Sequence, residues 1–148
     1  MNRILLFICL CLTSGLLQAQ AESPVTVAQS KMIKGDTLQL TIDFIVDNDW
    51  MVYDSVSSDL GPIPLTFNFD GIQNLTYLNV EKPHLKTKYD DIFEVDLWYF
   101  KDTVSYVFNF KKGEALLESK ILGSFEFMSC NLISGVCLPP QVVDFVVE

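Results

Sequence analysis

From Thr37 to Asp47 apolar and polar residues alternate, with Leu38, Leu40, Ile42, Phe44 and Val46 on one side and Thr37, Gln39, Thr41 and Asp43 on the other. A period of two puts successive side chains on opposite faces of a strand, so this stretch predicts a half-buried β-strand. The alternation recurs in Leu65-Phe67-Phe69, in Val104-Tyr106-Phe108-Phe110 and in Ile121-Gly123-Phe125-Phe127, each run bounded by polar or Gly/Pro punctuation. Val25-Val27, Leu75 to Val80, Phe93 to Phe100 and Val142 to Val147 predict further strands of weaker pattern. No window of a dozen residues keeps apolar side chains at helical spacing. Roughly eight short strands in about 120 residues predict an all-β fold, an immunoglobulin-like antiparallel β-sandwich. Two stretches resist the strand reading: Ser55 to Pro64, with its Gly61-Pro62 turn signal, and the polar Lys82 to Ile92. Both are expected to be long loops, where function on a sandwich tends to sit.

Composition narrows the class. At 148 residues, 49% hydrophobic and 20% charged, the chain reads as one soluble globular domain, and its 12% aromatic content supports a sizeable core. Nineteen acidic residues against ten basic ones give a net charge of -9, whose field repels polyanions and sets nucleic-acid binding aside. The amino terminus departs from this picture. Asn2-Arg3, the unbroken apolar run Ile4 to Leu12 and the small-x-small Ala19-Gln20-Ala21 have the form of a cleavable signal peptide over residues 1–21. The run is too short to span a bilayer, and no later segment approaches that length. Residues 22–148 are therefore expected to be one exported, soluble domain. Cys9 and Cys11 lie inside the apolar run after bulky side chains, which argues against lipidation.

Two cysteines remain after the leader, Cys130 and Cys137. Export places them in an oxidising compartment, where an even count usually means a disulfide. The pair brackets a hairpin loop, Asn131 to Val136, and opposed residues of a non-hydrogen-bonded antiparallel pair lie close enough for the bond. Spacing alone favours an ordinary hairpin staple. Position points the other way: a ring of about eight residues stabilises by only about 2.5 kcal/mol through lost chain entropy. A bond at a sheet end is also accessible to another protein's thiolate. Pro139 and Pro140 donate no N–H, hold the chain extended after Cys137 and leave an edge able to receive a partner strand.

At these residues a family resemblance enters. Phe127-Met128-Ser129-Cys130, a short loop, then Cys137-Leu138-Pro139-Pro140 and Val142-Val143-Asp144-Phe145 resemble the end of the amino-terminal periplasmic domain of the thiol:disulfide interchange protein DsbD. The similarity extends through Asp49-Trp50-Met51-Val52-Tyr53, Gly61-Pro62-Ile63-Pro64, Tyr89-Asp90-Asp91-Ile92-Phe93 and Tyr99-Phe100-Lys101-Asp102. It implies an immunoglobulin-like periplasmic domain that relays electrons by thiol-disulfide exchange and needs no cofactor. A thioredoxin-like domain reduces it, and it reduces disulfide isomerase-type or cytochrome-maturation proteins. The resemblance assigns mixed-disulfide formation to Cys137 and resolution to Cys130. It gives a shielding cap to Phe93 with Asp90 and Asp91, and it places Trp50, Tyr53 and Pro139 around the cysteines, the first two half in the core. A carboxylate near the sulfurs disfavours the thiolate, so Asp90 or Asp91 is expected to quiet the thiol until a partner displaces the cap.

Two departures bear on these expectations. The family member is normally fused to a membrane-embedded and a thioredoxin-like domain, and this chain ends at Glu148, so its electron donor is expected to be a separate membrane protein. The six-residue spacer is longer than the family's, and Leu132 and Ile133 within it either bury the disulfide or form part of a docking surface. The alternative function from a different class is a non-enzymatic exported sandwich with a permanent disulfide. A metal site is not expected, since two cysteines and His84 fall short of four ligands. His84 reads as a solvated loop residue, and Asn74-Leu75-Thr76 matches the glycosylation pattern no better than chance.

Overall fold

A computed structural model describes residues 23–69, 74–91, 94–113 and 120–148. The signal-peptide expectation for residues 1–21 lies outside the described residues. Eleven strands are formed among those described: β1 (Val25–Lys34), β2 (Thr37–Val46), β3 (Trp50–Val56), β4 (Thr66–Asn68), β5 (Leu75–Glu81), β6 (Lys86–Asp90), β7 (Val95–Phe100), β8 (Thr103–Lys112), β9 (Ile121–Phe127), β10 (Ser129–Asn131) and β11 (Gln141–Val147). They pair antiparallel in three sheets, ordered β1-β2-β8-β5, β10-β3-β7-β6 and β11-β9-β4. This is the all-antiparallel immunoglobulin-like architecture that the alternation predicts.

The core follows from the pattern of β2. Leu38, Leu40, Ile42 and Phe44 are fully buried, while Thr37, Gln39, Thr41 and Asp43 between them are only partly so. Tyr106, Phe108 and Phe110 are buried on β8, as are Phe125 and Phe127 on β9 and Phe145 and Val147 on β11. These inward rows meet in one cluster that also takes in Val52 of β3 and Phe100 of β7. Phe44 is its hub, with the rings of Phe67, Phe100, Tyr106, Phe125 and Phe127 at 5.3–6.3 Å, mostly edge-to-face.

In the sheet that carries the site, β3 is buried on both faces. Val52 and Phe100 face the main core, whereas Met51, Tyr53, Val95, Leu97 and Cys130 form a second, smaller cluster on the other face. A bulge between Tyr53 and Ser55 interrupts the β3–β7 register. At that bulge Asp54 is buried beside Tyr106, whose phenol donates to Oδ1 at 2.6 Å, and Lys82 Nζ lies 2.9 Å from Oδ2. Burial, and then the hydrogen bond to Asp54, push the Tyr106 phenol far above its ordinary pKa, so it stays a donor. The bulge thus secures β3 to β8 on one side while leaving Tyr53 on the other.

Three strands depart from the sequence-based expectation. β3 is apolar on both faces, so it shows no alternation to read. β10 is three residues long, and it takes Cys130 away from β9, on which the sequence placed it, to pair with β3 instead. The polar stretch Lys82 to Ile92, expected to be a loop, contains β6, paired to β7 from Lys86↔Tyr99 to Asp90↔Val95. β6 is an edge strand, and polar residues on an edge give no two-fold hydrophobic signal.

Candidate functional site

The site begins where β9 ends. After Phe127 and Met128 the chain crosses to the second sheet, and β10 pairs with β3 so that Cys130 opposes Met51. Cys137 then returns opposite Cys130 as an isolated antiparallel bridge, with α-carbons 4.0 Å apart, and the two are joined by a disulfide. Asn131 N–H donates to Val136 O at 2.8 Å and Leu138 N–H to Ser129 O at 2.9 Å. Those two bonds flank the pair and make it the non-hydrogen-bonded kind that brings side chains closest.

The intervening turn is held by its own polar groups. Asn131 Oδ1 accepts from the backbone N–H of Ile133 at 3.0 Å and of Ser134 at 2.9 Å. Gly135 N–H donates to Asn131 O, and Gly135 sits at φ +71°, a left-handed conformation that a residue with a Cβ adopts only with strain. Leu132 N–H reaches across to Asp49 O. This turn directs Leu132, Ile133 and Val136 outward, at 41%, 78% and 57% exposure. The longer spacer therefore does not bury the disulfide; it surrounds it with exposed apolar side chains.

The two sulfur-bearing residues differ in environment. Cys130 is 1% exposed, packed in the second cluster with Met51, Tyr53, Val95 and Leu97, whereas Cys137 is exposed. Both line a groove of about 470 Å³. Its other walls are Met51 and Tyr53 of β3, the Gly61-Pro62-Ile63 segment, Lys88 and Asp90 of β6, Met128, and Asn131, Leu132 and Gly135. Tyr53 lies buried in it with Lys88 Nζ 5.8 Å from its ring centroid, a cation–π arrangement. Burial raises the Tyr53 phenol above its usual pKa, and the Asp90 carboxylate adds to that rise. The phenol is therefore a neutral donor rather than a base near neutral pH.

Of the residues singled out in the sequence, Cys130, Cys137, Tyr53 and Asp90 come together. Asp91 is exposed at the turn after β6 and does not line the groove. Trp50 is half-buried against the main core, one position from Met51 and so on the opposite face of β3. Pro139 is exposed beyond Cys137 without lining the groove. Phe93 lies outside the described residues, and its cap role rests on the resemblance alone. Lys88 was missed; its signal was its place two residues before Asp90, legible only once Lys86–Asp90 is read as a strand. Among the described residues no three His, Cys, Asp or Glu side chains gather in a way that holds a metal ion.

The sheet-end disulfide thus joins two unlike residues, Cys130 buried and Cys137 exposed. Residues 18–148 match the family model "Thiol:disulfide interchange protein DsbD, N-terminal", and the chain belongs to that family. The fold is similar to the reduced DsbD N-terminal domain of Neisseria meningitidis, at TM-score 0.57 and 14% identity over 84% of this chain and 83% of that one. It is also similar to the N-terminal periplasmic domain of ScsB from Proteus mirabilis, at TM-score 0.59 and 11% identity over 88% of this chain and 47% of that one. No curated protein matches the sequence significantly.

Proposed function

We propose that this chain is a periplasmic electron relay that exchanges its Cys130–Cys137 disulfide with thioredoxin-like proteins. The asymmetry of the pair carries the reading, since Cys137 is exposed and Cys130 is buried directly behind it. In the reducing direction the Cys137 thiolate attacks a partner's disulfide, forming a Cys137–partner bond and releasing the partner's second sulfur as a thiolate. Cys130, deprotonated in turn, attacks Sγ of Cys137. The 130–137 bond re-forms and the partner's other sulfur leaves as a thiolate, so two electrons pass to the partner. The reverse sequence recharges the pair from a thioredoxin-like donor.

The surroundings support this division of labour. An incoming sulfur must approach in line with the bond it breaks, and only the Cys137 end opens to solvent. Cys130 has merely to move within its cluster to resolve the mixed disulfide. The exposed Leu132, Ile133 and Val136, with Ile63 at 37% exposure across the groove, offer a partner apolar area around the reacting sulfur. Disulfide isomerase-type and cytochrome-maturation proteins are the acceptors this reading favours, with a thioredoxin-like protein as the source of electrons. Asp90 on the groove wall is the carboxylate placed to quiet the Cys137 thiol between encounters, in preference to Asp91.

The test is the reduction potential, obtained by equilibrating the protein with glutathione or dithiothreitol mixtures and counting free thiols. An exchange-competent pair is expected between about -120 and -270 mV. A value below about -300 mV marks a permanent staple and returns the chain to the class of non-enzymatic interaction modules.

A further inference from the structure

The groove beside the disulfide contains a cation whose role the exchange chemistry leaves unassigned. Lys88 is half-buried on β6, with its ammonium over the Tyr53 ring, and it makes no salt bridge among the described residues. Lys82, by contrast, is committed to Asp54. In a chain of net charge -9, a half-buried lysine held over an aromatic ring rather than in a salt bridge among the described residues, and lining the groove that holds both cysteines, points to an anion that forms there only part of the time. The thiolate of the reduced pair is such an anion.

We propose that Lys88 is the electrostatic partner of reduced Cys137, favouring its thiolate and so setting the rate at which the pair attacks a partner's disulfide. The proposal deepens the exchange reading and rests on Cys137 being the presented sulfur. The charged and titratable groups facing the sulfurs are few. β6 supplies Lys88 and Asp90, β3 supplies Tyr53, and Tyr99 of β7 packs behind them in the second cluster. The Gly61-Pro62-Ile63 segment, Met128 and the Asn131–Gly135 turn contribute none. Lys86, two positions earlier, is exposed and does not line the groove. Lys88 thus opposes Asp90: the carboxylate disfavours the thiolate and the ammonium favours it. Holding the ammonium over Tyr53 keeps it near the groove without neutralising it, because a cation–π contact leaves the net charge in place.

The experiment is alkylation of Cys137 by iodoacetamide in full-length, reduced Cys130→Ser protein, followed at that residue by peptide mass spectrometry across a pH series. Lys88→Gln is expected to move the midpoint upward and slow alkylation at pH 7 by about threefold, the size of one lost charge in a partly hydrated site. Lys88→Arg retains the charge and is expected to keep the parental midpoint. Lys120→Gln removes an equal charge from an exposed pair with Glu148 at the far end of β9, roughly 20 Å along that strand, and is expected to change nothing. Raising the salt to about 0.5 M is expected to narrow the gap between Lys88→Gln and its parent. Circular dichroism melting confirms that each variant is folded. If Lys88→Gln fails to fold, Lys88→Met, which keeps an unbranched apolar stem without the charge, is read in its place against the same outcomes. An unchanged midpoint in folded Lys88→Gln, or an equal shift in Lys88→Arg, overturns the proposal. Alkylation needs no partner protein, so this outcome is separate from whether the disulfide exchanges with thioredoxin-like proteins.

Discussion

Replacing either Cys130 or Cys137 by alanine is expected to drop electron transfer from a thioredoxin-like donor to the uncatalysed background, while the domain stays folded. Both sulfurs are needed because one forms the mixed disulfide and the other releases it. The ring they close is short, with a sequence separation of 7. Its loss costs about 2.5 kcal/mol by the loop-entropy relation, a fraction of what the aromatic core supplies. Exchange assays with a fluorescent mixed disulfide, run beside circular dichroism melts, check both halves of the statement. Persisting transfer in Cys137→Ala would place the chemistry elsewhere.

Phe44→Ala is expected to destabilise the fold by about 3–5 kcal/mol, the range for truncating a fully buried aromatic, and to lower the melting temperature by roughly 10–20 °C. Phe44 is completely buried and touches rings from β4, β7, β8 and β9, so its cavity opens between sheets that pack rigidly. The second cluster that holds Cys130 does not include Phe44. Below its lowered melting temperature the variant is therefore expected to keep a parental rate of disulfide exchange. Urea denaturation gives the stability, and the same exchange assay gives the rate. A loss under about 1 kcal/mol would mean that the aromatic cluster relaxes around the gap.

How much of this was legible in the sequence depends on which faces each strand shows. β2, β8 and β9 each have one face in the main core, so Leu38 to Val46, Tyr106 to Phe110 and Phe125 to Phe127 announced themselves by alternation. β3 and β6 build the walls of the groove and were hidden for opposite reasons. Met51, Val52 and Tyr53 are all buried because both sides of β3 are covered, which erases alternation. Lys86 to Asp90 lie on an edge, where charge suppresses unwanted pairing and leaves no apolar row.

The cysteine pair was legible because the chain has only four cysteines and the spacing of Cys130 and Cys137 matches a hairpin. The difference in burial between Cys130 and Cys137 was not, since it arises from β10 leaving β9 for a second sheet, a change of partner with no local sequence mark. For the same reason Trp50 and Tyr53, grouped together in the sequence, separate in space. One faces the core and the other the groove, because their spacing of three residues puts them on opposite faces of β3.

The account's central claim is that Cys137 is the sulfur a partner meets. Single serine variants, incubated with a thioredoxin-like protein whose resolving cysteine has been removed, test it directly by non-reducing electrophoresis and mass spectrometry of the linked species. Cys130→Ser is predicted to accumulate a stable adduct joined through Cys137, and Cys137→Ser to yield little or none. Equal adducts from both variants, or one joined mainly through Cys130, would contradict the account.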